Sequence, residues 1–247
     1  MAIALVTGAS RGIGRATALQ LAGDGFTVAV NYHHNINAAT NVVNEIVSTG
    51  GRAFAVRADI SDEHQVLAMF DAIDREGEPL TALVNNAGIL FEQSTIENLT
   101  ADRINRVLAT NVTGYFLCCR EAVKRMSQKH GGIGGAIVNV SSAASRLGAP
   151  GEYVDYAASK GAVDSLTTGL SLEVAAYGIR VNGVRPGLIY TDIHADGGEP
   201  GRVDRVKASL PMQRGGQPEE VAQAIVWLIS DKASYVTGSF IELAGGK

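Results

Sequence analysis

The sequence predicts an α/β protein: a doubly wound, seven-stranded parallel sheet with helices on both faces, in a single domain over residues 1–247. Three observations carry that expectation. Short apolar runs rich in Val, Ile and Ala recur seven times, longer stretches with helical spacing lie between them, and no long linker or internal repeat interrupts the alternation. Near-continuous apolar strands separated by helices are expected to be buried on both faces and to pair in parallel through right-handed crossovers. The 247 residues, 46% of them hydrophobic, suffice for one large core.

The elements follow in order. The first strand, residues 3–7, passes through a glycine-rich turn into a helix over 13–22. A second strand (27–31) leads to a helix over 38–47 that Gly50 and Gly51 close, and a third (53–57) leads to a helix over 63–73. The fourth strand, 82–85, precedes one long helix over 102–126, and the glycine-rich residues 131–135 break the chain before the fifth strand, 136–141. A helix over 156–174 connects to the sixth strand, 180–184. Residues 192–216 are the least patterned; Gly197, Gly198, Gly201, Gly215 and Gly216 surround a short helical piece, as expected of a mobile flap over a pocket. Pro218 opens a helix to residue 229, and the seventh strand spans 239–243.

Composition narrows the function. A net charge of −4 with 19% charged residues leaves no basic field for nucleic acid or an anionic membrane. Cys118 and Cys119 are adjacent, a spacing that neither closes a useful disulfide loop nor matches a paired zinc ligand. The five histidines are scattered apart from His33 and His34, with no carboxylate at ligand spacing, so no metal is expected. The first ten residues are too short and too uncharged for a signal peptide, and no run of about 18 apolar residues follows, so a reduced cytoplasmic chain is expected.

After the first strand comes Thr7-Gly8-Ala9-Ser10-Arg11-Gly12-Ile13-Gly14, leading straight into a helix. Three glycines let the backbone turn tightly and approach a pyrophosphate, which a helix N-terminus holds with exposed N–H groups and its positive dipole end. The spacing departs from G-x-G-x-x-G, because three residues separate Gly8 from Gly12. At the end of the second strand, where a carboxylate would bind the ribose 2′-OH of NAD, stand Asn31, Tyr32, His33 and His34. With no carboxylate to repel a 2′-phosphate, and Arg11 available to pair with one, NADP(H) is expected in preference to NAD(H), which the pocket does not forbid. Asp59 and its neighbour Ile60 lie just past the third strand at the crevice edge, Asp59 placed to accept a hydrogen bond from an adenine amino group.

Tyr156-Ala-Ala-Ser-Lys160 is the strongest chemical signal. A separation of four on a helix sets phenol and ammonium on one face, and the cation is expected to pull the tyrosine pKa down toward the working range for general acid or base catalysis. Tyr153, with Ala157 four residues on, lacks such a partner and is expected at the pocket mouth. Upstream, the fifth strand ends in Ser141-Ser142 at the C-terminal sheet edge, where the Ser142 hydroxyl can hold a carbonyl oxygen while Tyr156 delivers its proton. Nothing like G-x-S-x-G surrounds Ser142, which argues against an acylated nucleophile.

These residues together resemble the short-chain dehydrogenase/reductase family, in its classical form with a Rossmann-type fold. The resemblance covers essentially the whole chain and rests on the segment from Thr7 to Gly14, Asp59, Asn85-Asn86-Ala87-Gly88, Asn111, Ser142, Tyr156-x-x-x-Lys160 and Pro186-Gly187. It implies that Asn86, Ala87 and Gly88 brace the central strands near the adenosine, and that Asn111 shapes a helix bend holding water beside Lys160. It also implies that Lys160 binds the nicotinamide ribose, with Tyr156 counted among the cofactor contacts, and that Ile189 and Thr191 hold the carboxamide for pro-S hydride transfer. Implied catalytic residues are thus Asn111, Ser142, Tyr156 and Lys160, acting on a small carbonyl or alcohol substrate. Within the family the sequence looks like 3-oxoacyl-carrier-protein reductases and bacterial glucose dehydrogenases. A carrier-protein reductase is expected to show basic residues near the pocket mouth, for which Lys129 is a candidate, whereas Tyr177 stands where another is usual. The alternative is a non-catalytic NADPH-binding sensor or scaffold, which would have been free to lose Tyr156 or Lys160. The resemblance further suggests a homotetramer, a homodimer being the smaller alternative.

Overall fold

A computed structural model describes residues 2–247. In chain order the elements are β1 (Ile3–Val6), α1 (Gly12–Gly23), β2 (Thr27–Tyr32), α2 (Ile36–Ser48), β3 (Arg52–Arg57), α3 (Glu63–Asp74), β4 (Leu80–Asn85), α4 (Ala101–Leu108), α5 (Gly114–Met126), β5 (Gly135–Val140), α6 (Ala144–Leu147), α7 (Val154–Val174), β6 (Ile179–Pro186), α8 (Ile193–Asp196), α9 (Arg202–Val206), α10 (Pro218–Ile229) and β7 (Phe240–Leu243). The strands form one seven-stranded sheet in the order β3-β2-β1-β4-β5-β6-β7, every pairing parallel. Val6 pairs with Val30 on one side and Val84 on the other. The chain runs outward from β1 to β3 and then returns to β4 on the opposite side, so a crevice opens above the C-terminal ends of β1 and β4.

Alternation along each strand sends side chains to two cores. Leu5, Leu83 and Ile137 pack with Phe70 of α3, Tyr115 of α5 and Val163 of α7 on one face. Val6, Val84 and Val138 pack with Leu21 of α1, Val42 of α2 and Ile225 of α10 on the other. Polar residues at helix starts satisfy first-turn N–H groups: Asn35 accepts from Ala38 N, Asp62 from His64 N and Gln65 N, and Thr100 from Arg103 N.

Two expectations need correction. Burial on both faces holds for β1, β2, β4 and β5, but β3 exposes Arg52, Ala55 and Arg57, and β7 is only part-buried. Both are edge strands with a single neighbour. The long helix over 102–126 is interrupted by a five-residue π-turn, Ala109–Thr113, between α4 and α5. The apolar spacing continues through the turn, so periodicity alone cannot see it; Asn111 marks its centre. No helix among the described residues is long and apolar enough to cross a membrane.

Candidate active site

At the end of β1 the chain must turn at once to enter α1. Gly8 and Gly12 adopt left-handed φ values of +62° and +54°. A Cβ on Gly8 would stand 2.9 Å from Ala87 Cα, and one on Gly14 would stand 2.5 Å from both Asn86 Nδ2 and Gly8 O. Neighbouring side chains hold the turn in place. Asn31 Oδ1 accepts the Gly8 N–H at 3.1 Å while its Nδ2 donates to Val56 O and Ala58 O. Asn86 Nδ2 donates to Thr7 O and Gly8 O, and Thr7 Oγ1 accepts the N–H groups of Asn86 and Ala87. The start of α1 has neither a side-chain cap nor an acidic residue in its first turn, so its N–H groups and positive dipole end stay free for an anion.

A cleft of about 1030 Å³ lies over this turn and along the C-terminal sheet edge. Gly8, Ser10, Arg11, Gly12 and Ile13 form its wall at β1, and Tyr32, His33, Asp59 and Ile60 its wall at β2 and β3. Asn86, Ala87 and Gly88 follow β4; Ser142, Tyr156 and Lys160 stand beyond β5; Pro186, Gly187, Ile189 and Thr191 follow β6. Gly14 and Asn111 support the wall from behind, Gly14 against Gly8 and Asn111 against the loop after β4. A volume of this size with an uncapped helix end and a glycine cradle fits a dinucleotide.

At the β2 end Tyr32 is buried, and the rings of His33 and His34 lie 3.5 Å apart. His33 Nε2 stands 3.5 Å from Asp59 Oδ2, while Asp59 Oδ1 accepts from the backbone and hydroxyl of Ser61. Arg11 lines the same cleft, and its guanidinium is 2.5 Å from Asp196.

Tyr156 and Lys160 sit one turn apart in α7, whose first turn Asp155 anchors by accepting the Tyr156 N–H and pairing with Arg103. Lys160 Nζ donates to Val140 O at 2.7 Å and to the Tyr115 hydroxyl at 3.4 Å, and lies 5.6 Å from the Tyr156 ring centre. Burial pushes the Lys160 amine down to about 7, against a weaker opposing pull from Asp164. Tyr156 goes the other way: burial raises the phenol to about 12, with the Ser142 hydroxyl acting to lower it. The expected lowering of the tyrosine by its lysine is therefore corrected for this structure. The amine is spent on Val140 O and is itself costly to charge in this enclosure, so desolvation of the phenolate dominates.

Asn111 holds Ile89 at both ends, its Oδ1 accepting Ile89 N–H and its Nδ2 donating to Ile89 O, with a further donation to Ser159 Oγ. Gly88 fits between, since a Cβ there would be 3.4 Å from Asn111 Oδ1 and 3.6 Å from Lys160 Nζ. The sequence reading missed two residues. Asn31 clamps the glycine turn, and its signal was a polar residue inside an apolar strand; Tyr115 contacts Lys160, and its signal was its place one turn after Asn111.

Residues 192–216 fold over the cleft as α8 and α9. Tyr153, expected at the mouth, is a buried lining residue of the cleft and donates its hydroxyl to Gly197 O at 3.2 Å. Lys129 is not at that mouth: it lies against the Tyr177 ring beside the N-terminal ends of β5 and β6, the sheet edge away from the cleft. Sequence proximity to a strand could not tell which end of that strand the residue would reach.

Residues 8–247 match the model of a family described as enoyl-(acyl carrier protein) reductase. The chain is 79% identical over its full length, and that of its relative, to an uncharacterized oxidoreductase, YgfF, of Escherichia coli K12. It is 39% identical to the 3-oxoacyl-[acyl-carrier-protein] reductase FabG of Staphylococcus aureus Mu50, covering 98% of this chain and 96% of that one. A crystal structure from Agrobacterium tumefaciens, provisionally assigned as a gluconate dehydrogenase, superposes with a TM-score of 0.91 at 36% identity over 99% of this chain and 95% of that one. Fold, motif order and these full-length likenesses agree, and the chain is an oxidoreductase of the short-chain dehydrogenase/reductase family.

Proposed function

We propose that the protein is an NADP(H)-dependent oxidoreductase that interconverts a carbonyl compound and a secondary alcohol, with Tyr156 as general acid and base. The substrate classes that suit this chemistry are 3-oxoacyl thioesters, simple ketones and sugars. The observation that carries the reading is the convergence of buried Lys160 with part-buried Tyr156 and Ser142 beyond β5, in a cleft whose β1 end is a glycine cradle. A nicotinamide held there supplies or accepts the hydride.

The chain's own groups do the rest. Ser142 Oγ accompanies the substrate oxygen and stabilises the charge that develops on it. Tyr156 carries its proton at neutral pH and is the group that donates it in the reductive direction, while the Ser142 hydroxyl acts to lower a phenol that burial raises. Lys160, titrating near neutrality, is the adjacent buried group able to return a proton to that phenol. Asn111 keeps Ile89, and with it Gly88, packed against Lys160. Gly8, Ser10, Gly12, Ile13 and Gly14 hold the pyrophosphate at the start of α1, and Arg11 pairs with the 2′-phosphate because no carboxylate stands at residues 31–34. Tyr32, His33, Asp59 and Ile60 take the adenosine, with Asn86, Ala87 and Gly88 beside it, and Pro186, Gly187, Ile189 and Thr191 take the nicotinamide. The domain spans residues 1–247, functions in the cytoplasm, and assembles as a homotetramer, for which exposed Phe116 and Leu172 on α5 and α7 offer apolar contact.

The test is turnover of purified protein with NADPH or NADH and a panel of 3-oxoacyl thioesters, ketones and sugars, following nicotinamide absorbance. NADPH-preferring reduction of one class is expected. Intact NADPH binding with no turnover of any class, in either direction, refutes catalysis.

A further inference from the structure

The segment over the cleft is held down by several side-chain ties, and they differ in what they draw on. Tyr153 at the start of α7 donates to Gly197 O. Gln93 in the loop after β4 donates to Glu199 at 2.8 Å. Arg202 of α9 reaches back to Glu152 before α7, with one contact at 3.0 Å, and also to Glu199. These three join the flap to the substrate side of the cleft through groups that no dinucleotide needs. Two others run to the cofactor side: His194 of α8 pairs its Nε2 with Ile189 O at 2.9 Å, and Asp196, the last residue of α8, accepts from Arg11, the residue immediately before α1, across 185 positions of sequence.

Arg11 is also the cation best placed for a cofactor phosphate. It lines the cleft beside the uncapped start of α1, whereas Lys247 reaches the cleft only from the C-terminus beyond β7 and the remaining lining lysine and arginines are committed elsewhere. Lys160 is buried on Val140 O, Arg202 is held by two glutamates, and Arg106 stacks 4.7 Å over the Phe91 ring. One guanidinium thus faces two claims.

We propose that Asp196 is a specificity-determining residue for the cofactor: its carboxylate occupies the guanidinium of Arg11 that a 2′-phosphate claims, so a phosphorylated dinucleotide binds by exchanging one anion for the other and unties the cofactor-side edge of the flap. This rests on the NADP(H) reading above. The exchange is physically cheap in the forward direction. Both side chains of the tie are about half exposed, at 52% and 45%, and such pairs are weak. A phosphate carries close to two charges and presents three acceptor oxygens to the same planar fork, which makes it the stronger partner. NADH brings no second anion to this position and leaves the tie closed. Untying it loosens only one edge, because the Tyr153, Gln93, Arg202 and His194 contacts remain, with Gly197, Gly198 and Gly201 available as pivots between them.

The experiment measures NADPH and NADH dissociation constants by fluorescence titration for the wild type, Asp196→Asn, Arg11→Ala and the double variant, together with amide hydrogen exchange of residues 193–199. Removing the competing carboxylate is expected to tighten NADPH by about two- to fivefold, the range set by an exposed ion pair, and to leave NADH within about 1.5-fold. In the Arg11→Ala background the Asp196→Asn substitution is expected to change nothing. Without cofactor, both single variants exchange faster than wild type over residues 193–199, and in the wild type this segment exchanges faster with NADPH bound than with NADH. Equal tightening of both cofactors would mean that Asp196 merely repels the pyrophosphate, and overturns the proposal. So does an Asp196→Asn effect that survives in the double variant, or NADPH binding that weakens. A wild type that prefers NADH refutes the cofactor reading itself, whereas a wild type that prefers NADPH but is indifferent to Asp196 refutes only the competition.

Discussion

Substituting Lys160 gives the sharpest physical check on the site, because its effect on stability has a defined direction with pH. Its amine falls from the ordinary 10.5 to about 7 on burial, so the folded state holds this proton less tightly than the unfolded chain. The cost of charging the buried amine is fully present below about pH 7 and fades as pH rises toward 10.5. A shift of this size costs about 4 kcal/mol at pH 7 and between about 2 and 3 kcal/mol at pH 8.5. Relative to Lys160→Met, which carries no titratable group, the wild type should therefore gain about 2 kcal/mol between those pH values. Cys118 and Cys119, buried and pushed up as thiols, oppose this trend once their unfolded forms ionise, but they are common to both proteins and cancel in the difference. Urea unfolding of both proteins at pH 7 and 8.5 supplies the four free energies needed. A wild-type-minus-variant difference that stays constant across this window would refute the buried, near-neutral lysine on which the proton return depends.

Three further outcomes follow from the same geometry. Arg11→Ala should weaken NADPH at least about tenfold while leaving NADH within about twofold in fluorescence titration, a difference of roughly 1.4 kcal/mol or more; equal losses would remove Arg11 from the 2′-phosphate. Ser142→Ala should lower kcat by about 10²- to 10³-fold, the cost of one donor to a developing oxyanion, with NADPH affinity little changed. Gly14→Ala places a Cβ 2.5 Å from Asn86 Nδ2 and Gly8 O, so it should cost about 1–3 kcal/mol of stability by thermal unfolding and abolish NADPH binding. An alanine variant that binds normally would mean that the turn is not the cradle.

Much of the molecule was legible from residue order. Seven apolar runs became seven parallel strands, most clearly in β1, β2, β4 and β5, where cover on both faces leaves almost no polar positions, and the glycine turn was visible because backbone crowding there tolerates no side chain. What stayed hidden depended on the third dimension. The resemblance pointed to a bend at Asn111, but periodicity did not, because the π-turn there leaves the apolar period intact and is fixed by bonds to Ile89 and Ser159, residues remote in sequence. The electrostatics of the Tyr156 pair followed from enclosure rather than spacing: a lysine four residues away is a cation only to the extent that its surroundings let it be one. Lys129 was misplaced because the strand it precedes begins at the far edge of the sheet. The commitment of Arg11 to Asp196 joins residues 185 apart and appears only once the flap is folded over the first turn.

The central claim is that Tyr156 transfers the proton in a cleft that binds the cofactor independently of it. Tyr156→Phe removes one oxygen and leaves the ring, so the decisive measurement is NADPH titration followed by turnover of the best substrate with the same sample of this variant. NADPH binding within about tenfold of wild type, with reduction abolished, is the result expected from this account. Turnover retained at a rate near the wild type's, with the cofactor still bound, would contradict it.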